Sequence, residues 1–217
     1  MKVVAINGGP RKTWNTARMI EAMTDGCRAA GAEVSIHNLY DIDFRGCTSC
    51  FACKLLGGPS HAACGMRDDL TAVLNECLAA DLIIVGSPVY FGDVTGELRS
   101  FLERLWFPGL AYDRDHRLLY KRRIQAKVIL TSNASKKEYI DEIGGRITGT
   151  MSTFIGTAEM IAAVDTLQFD DYSKYDAAIF DVEAKRKRHE EVFTEDLKKA
   201  YKMGKDAIEE IAEYKEI

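Results

Sequence analysis

The sequence predicts a doubly wound α/β fold: a five-stranded parallel sheet with helices on both faces. Three observations carry the prediction. Short apolar runs, turn signals and helical patterns follow one another in repeated order, the signature of βαβ units. The apolar runs are mostly continuous rather than alternating, as strands covered on both faces require. No repeat, low-complexity tract or linker interrupts the order. A single domain over residues 1–217 is therefore expected, with a cysteine-bearing loop at about 41–67 and a C-terminal helix.

The first strand is Val3-Val4-Ala5-Ile6, closed by Asn7-Gly8-Gly9-Pro10. A helix follows from about Thr16, with Met19, Met23, Cys27 and Ala30 along one face and Gly31 as its C-terminal cap. Val34 and Ile36 alternate with polar neighbours and mark the second strand. Residues 41–67 read as a long functional loop, because a structureless stretch of that length is otherwise unusual. Asp68-Asp69 opens the next helix at the positive end of its dipole, and Leu70, Val73, Leu74 and Cys77 form its buried face. Leu82-Ile83-Ile84-Val85 is the third strand, ended by Gly86-Ser87-Pro88. Thr95 is the N-cap of a helix that buries Leu98, Phe101, Leu102 and Leu105. A basic and aromatic connection over 107–125 leads to a fourth strand, Val128-Ile129-Leu130, and then to Thr131-Ser132-Asn133. Ile140, Ile143, Ile147, Met151 and Phe154 mark another helix, and a fifth strand falls within 159–167. The last helix carries Phe193, Leu197, Ala200, Gly204, Ile208 and Ile211 at helical spacing. Two doubly wound strand orders fit these elements, and spacing does not choose between them.

Composition narrows the function. The chain is 47% hydrophobic with a net charge of -4, which supports one buried core and gives no reason to expect nucleic acid as a partner. No apolar run approaches a membrane span, so no membrane partner is expected. The N-terminus opens directly on a strand-like segment, and a cytoplasmic location is the expectation. His37, His61, His116 and His189 are scattered, and no Ser/His/Asp or HExxH arrangement supports a hydrolase.

The first strand-to-helix loop reads Gly-Gly-Pro-Arg-Lys-Thr-Trp-Asn-Thr from Gly8 to Thr16. Ligands of open parallel sheets sit at the carboxyl ends of strands, where a helix start offers free N–H groups. Thr13, Asn15 and Thr16 add side-chain donors, and Arg11 or Lys12 adds charge. Neither G-x-G-x-x-G nor G-x-x-x-x-G-K-[ST] occurs in this loop, which argues against a dinucleotide site and an ATPase. Taken alone, the loop fits phosphate binding and an ordinary capped turn equally well.

Four segments shift that balance together. Ile6-Asn7-Gly8-Gly9-Pro10-Arg11-Lys12 with Asn15-Thr16 resembles the phosphate loop of the NADPH-dependent FMN reductase family. Cys47-Thr48-Ser49-Cys50-Phe51-Ala52-Cys53 with Asp68-Asp69-Leu70 resembles the next segment of its iron–sulfur flavoprotein branch. Ser87-Pro88-Val89-Tyr90-Phe91-Gly92 resembles the family's flavin-ring loop, and Phe101-Leu102-Glu103-Arg104 the segment after it. The resemblance covers roughly residues 1–135. It implies a flavodoxin-like fold and non-covalent FMN. It also implies that Gly9, Arg11, Asn15 and Thr16 hold the phosphate, that Pro88, Val89, Tyr90, Phe91 and Gly92 line the ring, and that Ser132 and Asn133 touch the cofactor from the other side. Gly9 stands where the family usually has serine, so one hydroxyl is lost and the backbone N–H remains. Trp14 stands where many members have glycine; it reads either as a contact at the flavin edge or a subunit, or as a hydrophobic staple over the first helix.

Cys47, Cys50 and Cys53 have C-x2-C-x2-C spacing, and Cys64 follows after ten residues. Such a run with a fourth cysteine is a [4Fe–4S] pattern. Structural zinc, free thiols and a redox-active pair remain alternatives. Cys27 and Cys77 fall on buried helix faces and read as core. Lys185-Arg186-Lys187-Arg188-His189 is a basic run followed closely by acidic residues and reads as a solvated helix face. The resemblance implies an oxidoreductase taking electrons from NAD(P)H to a quinone, flavin, nitro compound or metal ion. The alternative is an electron carrier with FMN and a [4Fe–4S] cluster that exchanges electrons with ferredoxin-like proteins. The flavin does the chemistry in either case, so no general acid or base is expected. A homo-oligomer, dimer or tetramer, is implied by resemblance.

Overall fold

The computed structural model describes residues 1–215 of the chain. Its centre is a five-stranded parallel sheet of order β2-β1-β3-β4-β5: β1 Lys2–Asn7, β2 Glu33–Asn38, β3 Leu82–Pro88, β4 Gln125–Thr131 and β5 Ala158–Ala163. This is the flavodoxin-like of the two doubly wound orders, and it puts the topological switch point between β1 and β3.

Alternation along the strands feeds two cores. Val3, Ala5, Leu82 and Ile84 face α1 (Asn15–Ala29) and α6 (Thr194–Lys215). Val4, Ile6, Ile83 and Val85 face α2 (Leu70–Ala79), α3 (Gly96–Trp106) and α4 (Lys137–Phe154). Cys27 and Cys77 are fully buried in these two cores, as expected. α1 and α6 touch backbone to backbone: a Cβ on Gly26 would overlap the Tyr201 carbonyl, and one on Gly204 the Met23 carbonyl. The sequence placed Gly204 on the buried face, and its contact with α1 accounts for the absence of a side chain there.

The helix starts follow the expected signals in part. Thr95 caps α3, its hydroxyl accepting from the Leu98 N–H at 3.3 Å. Gly31 ends α1 at φ 85°. The long loop between β2 and α2 contains only two short 3₁₀ turns, Leu39–Asp41 and Ala52–Lys54. α5 (Val182–Arg188) runs into α6 through a π-helical turn, His189–Phe193. Among the described residues no helix is long and apolar enough to cross a membrane.

Candidate functional site

The carboxyl ends of β1, β3 and β4 open on one cleft. The loop after β1 is fixed from below: the Gly8 N–H donates to the Gly86 carbonyl at 2.8 Å, and the Thr95 hydroxyl donates to the Gly8 carbonyl at 2.6 Å. A Cβ on Gly8 would stand 2.7 Å from Leu98 Cβ, so glycine is required where the loop crosses α3. α1 then begins at Trp14 with no side-chain cap. Its first-turn N–H groups are left for another acceptor, over buried Asn15 and Thr16. The Thr16 hydroxyl meets the Thr131 hydroxyl at 2.7 Å, both residues buried.

Of the residues expected at the cofactor, Gly9, Arg11, Asn15 and Thr16 line this cleft from β1 and α1. Pro88, Val89 and Tyr90 line it from β3, and Ser132 and Asn133 from β4. Two features differ from the expectation. The Gly9 N–H is already engaged by Asn7 Oδ1 at 2.9 Å, so it is not a free donor. Phe91 and Gly92 do not line the cleft; the chain turns there at φ 49° and 88°, and the Phe91 side chain is fully exposed.

The C-terminal third, in which sequence reading found no site residue, supplies the missing wall. Thr166 and Gln168 line the cleft together with Thr131. Asn15 Nδ2 donates to the Leu167 carbonyl at 2.8 Å, Trp14 Nε1 to the same carbonyl at 3.1 Å, and Arg11 Nη1 to the Gln168 carbonyl at 2.8 Å. Trp14 is thus half-buried and anchored by its indole N–H, rather than a staple over α1; the Arg11 guanidinium stacks on its ring at 4.4 Å. Burial lowers the Arg11 pKa from the usual guanidinium value.

The basic run also departs from the expectation of a solvated face. Lys185 is buried, and its ammonium donates to the Asn133 carbonyl at 2.9 Å, to Asn133 Oδ1 at 2.7 Å and to Asp165 Oδ1 at 2.5 Å. Arg188 donates to the Val164 carbonyl at 2.9 Å. Lys185 therefore ties the loop after β4 to the loop after β5. Only Arg186 and Lys187 face outward in the way the charge pattern suggested.

A second pocket lies in the loop before α2. Cys47, Cys50, Cys53 and Cys64 all line it, with Phe51, Met66, Phe107 and Arg104. Cys53 is buried, Cys50 exposed, and Cys47 and Cys64 are half-buried. Burial pushes the Cys53 thiol up. Ser49, Phe51 and Ala62 all adopt left-handed backbone (φ 53°, 55° and 62°), strain that a surrounding structure must impose on non-glycine residues. Cys64 Sγ accepts from Arg104 Nε at 3.3 Å. Among the described residues no three His, Cys, Asp or Glu side chains stand close enough together to hold one metal ion.

Residues 1–135 match the NADPH-dependent FMN reductase family. The chain belongs to that family. The match of this FMN reductase relative runs from β1 through β4 and takes in the loops after β1 and β3 that line the cleft. An iron–sulfur flavoprotein of Archaeoglobus fulgidus is 38% identical over 104 residues, 48% of this chain and 48% of that protein. An iron–sulfur flavoprotein of Clostridioides difficile is 26% identical over 165 residues, 72% of this chain and 68% of that one. The chain spans about half the length of the first curated relatives it matches. Among solved structures, an NAD(P)H:quinone oxidoreductase from Methanothermobacter marburgensis superposes with TM-score 0.64 at 17% identity over 95% of this chain and 96% of that one. An azoreductase from Bacillus anthracis superposes with TM-score 0.67 at 14% identity over 95% and 99%. At these identities the structural likeness speaks for the fold alone.

Proposed function

We propose that this family member binds FMN in the cleft and takes electrons from NAD(P)H, with a [4Fe–4S] cluster on Cys47, Cys50, Cys53 and Cys64 as a one-electron outlet. The acceptor is a small molecule such as a quinone, flavin, nitro compound or metal ion, or a ferredoxin-like protein. FMN would supply the exchange between two-electron hydride chemistry and one-electron transfer. The cleft fits its two ends. The uncapped start of α1 offers N–H groups to the phosphate, and one hydroxyl hydrogen of the Thr16–Thr131 pair remains to donate. Arg11 uses Nη1 on the Gln168 carbonyl and has its remaining N–H groups to offer the phosphate. Pro88, Val89 and Tyr90 present an apolar wall to the ring, and Asn133, held by Lys185, faces it from β4. A homo-oligomer, dimer or tetramer, would cover the exposed Phe91 ring at the rim.

The observation that favours the cluster over an FMN-only reductase is the shared pocket of the four cysteines. Four cysteines around one pocket match in number the four thiolates that hold a [4Fe–4S] cluster. The test is a visible spectrum of protein purified without air, with iron assayed on the same sample. Flavin bands with a broad brown shoulder and about four irons per chain are expected. Flavin bands without iron would leave a simple FMN reductase, and a colourless protein that takes up no FMN would end the reading altogether.

A further inference from the structure

We propose that Arg104 is the positioning residue of the cysteine loop and sets the reduction potential of the cluster through its N–H on the Cys64 sulfur. The proposal rests on the cluster reading above and adds to it a residue outside the ligand set.

Arg104 lies on α3 and is the largest fully buried side chain of the protein among the described residues. Each of its three nitrogens has a partner. Nη1 donates to Asp68 Oδ2 at 2.6 Å and to the Arg45 carbonyl at 3.0 Å, Nη2 to Asp68 Oδ1 at 2.9 Å, and Nε to Cys64 Sγ at 3.3 Å. Arg45 precedes the first cysteine of the loop, whereas Cys64 and Asp68 close it. One guanidinium therefore joins the beginning of the cysteine loop to its end.

The same contacts select the fourth cysteine. The gap between Cys53 and Cys64 folds back on itself, with the Ala62 N–H on the Cys53 carbonyl at 3.0 Å. Gly65 packs so closely on Ala52 that a Cβ there would stand 2.6 Å from Ala52 Cβ. Cys64 is thereby delivered beside the Ala52–Lys54 turn, and Arg104 holds it from the α3 side.

The electrostatic consequence follows from burial. A buried ion pair contributes little net stability, because desolvation offsets the Coulomb gain. Here it fixes a planar donor in a low-dielectric site, and Asp68 offsets its charge. An N–H aimed at a ligand sulfur withdraws electron density and favours the reduced, more negative cluster, which raises its potential.

The experiment compares wild type, Arg104→Lys, Arg104→Gln and Asp68→Asn, all purified without air. FMN and iron are measured on each, and the one-electron potential of the cluster is read by redox titration followed by electron paramagnetic resonance. Both Arg104 variants are expected to keep FMN and to shift the potential downward. Asp68→Asn leaves the guanidinium charge without its counter-charge and is expected to shift it upward. Opposite shifts from two partners of one contact are not produced by general loosening of the loop. Iron lost from both Arg104 variants with FMN retained supports the positioning role, and Asp68→Asn then decides the potential. A fully loaded Arg104→Lys at the wild-type potential, or a downward shift in Asp68→Asn, overturns the proposal. Wild type with FMN and no iron overturns the cluster reading itself, a result distinct from those two.

Discussion

Lys185→Met keeps the length of the side chain and removes its charge and all its donors. In the native protein the Lys185 ammonium serves three oxygen atoms within 2.9 Å, two of them on Asn133 and one on Asp165. Its side chain is 8% exposed, and that of Asp165 is 32% exposed. Removing one partner of a fully buried pair costs about 3–5 kcal/mol. Asp165 is partly solvated and keeps Arg188 at 3.6 Å, so its share of that penalty is reduced. The two Asn133 oxygens lose charge-assisted bonds, each worth about 1.5–3 kcal/mol before water replaces it. A net loss of about 2–3 kcal/mol is expected, read as a lower urea midpoint at unchanged slope.

The functional consequence is separate from the stability loss. Asn133 would no longer be preorganised on the β4 side of the cleft, so FMN binding must order that loop. Every 1.4 kcal/mol of ordering weakens binding about tenfold. FMN titration followed by quenching of flavin fluorescence is expected to give a dissociation constant about tenfold higher at a temperature where the variant is still folded. A Lys185→Met protein within 0.5 kcal/mol of wild type, with unchanged FMN affinity, would refute the reasoning: Lys185 would then be a tolerated burial and not a tie between loops.

Three further outcomes are expected. Thr16→Val removes one hydroxyl of the buried Thr16–Thr131 pair and leaves the other without its partner; FMN affinity should fall about tenfold, since a lost bond to an anion is worth about 1.5–3 kcal/mol, and an unchanged affinity would remove Thr16 from the phosphate site. Burial pushes the Cys27 thiol up to about 11, and the Cys77 thiol higher still; iodoacetamide at pH 8 should therefore label exposed Cys50 in cluster-free folded protein while sparing Cys27 and Cys77, as peptide mapping would show. Burial, then Arg18, lowers the His189 pKa below 6.5; the unfolded chain takes up the proton first, so this contribution to stability is present above about pH 6.5 and lost as pH falls through the lower folded value. Urea midpoints measured between pH 7 and 5 should fall less steeply in His189→Gln than in wild type, and parallel curves would exclude His189 as the cause.

Strands and helices were legible where one physical constraint acts on neighbouring residues. Four consecutive apolar residues at 82–85 can be satisfied only between two covered faces, and β3 indeed feeds both cores. Thr95 was legible as a cap because its bond reaches just three residues ahead. That Asn15 and Thr16 would line the cleft was legible for the same reason: they sit at a helix start that directly follows a strand. Lys185 was not, because its partners lie 52 and 20 residues away and its sequence neighbours are charges of both signs. Local charge pattern reports solvation only when no distant oxygen competes for the cation. Thr166 and Gln168 had one usable signal: they follow the carboxyl end of a strand in an open parallel sheet, where ligands gather.

The cysteines illustrate the limit differently. Their spacing specified the first three as a set, since two intervening residues fit one turn around a shared centre. The ten residues before Cys64 measure distance along the chain and not distance in space. In the fold, left-handed Ala62 turns the gap so that its N–H returns to the Cys53 carbonyl, and Gly65 lets the chain close on Ala52. Loop-closure entropy grows only slowly with length, so a ten-residue gap costs little more than a shorter one once its end is held. The end is held by Arg104, which the sequence offered only as the last residue of the family-like segment 101–104 and which the fold buries on α3. The contact that holds Cys64 beside the Ala52–Lys54 turn comes from a buried arginine one helix away, and not from the spacing of the cysteines themselves.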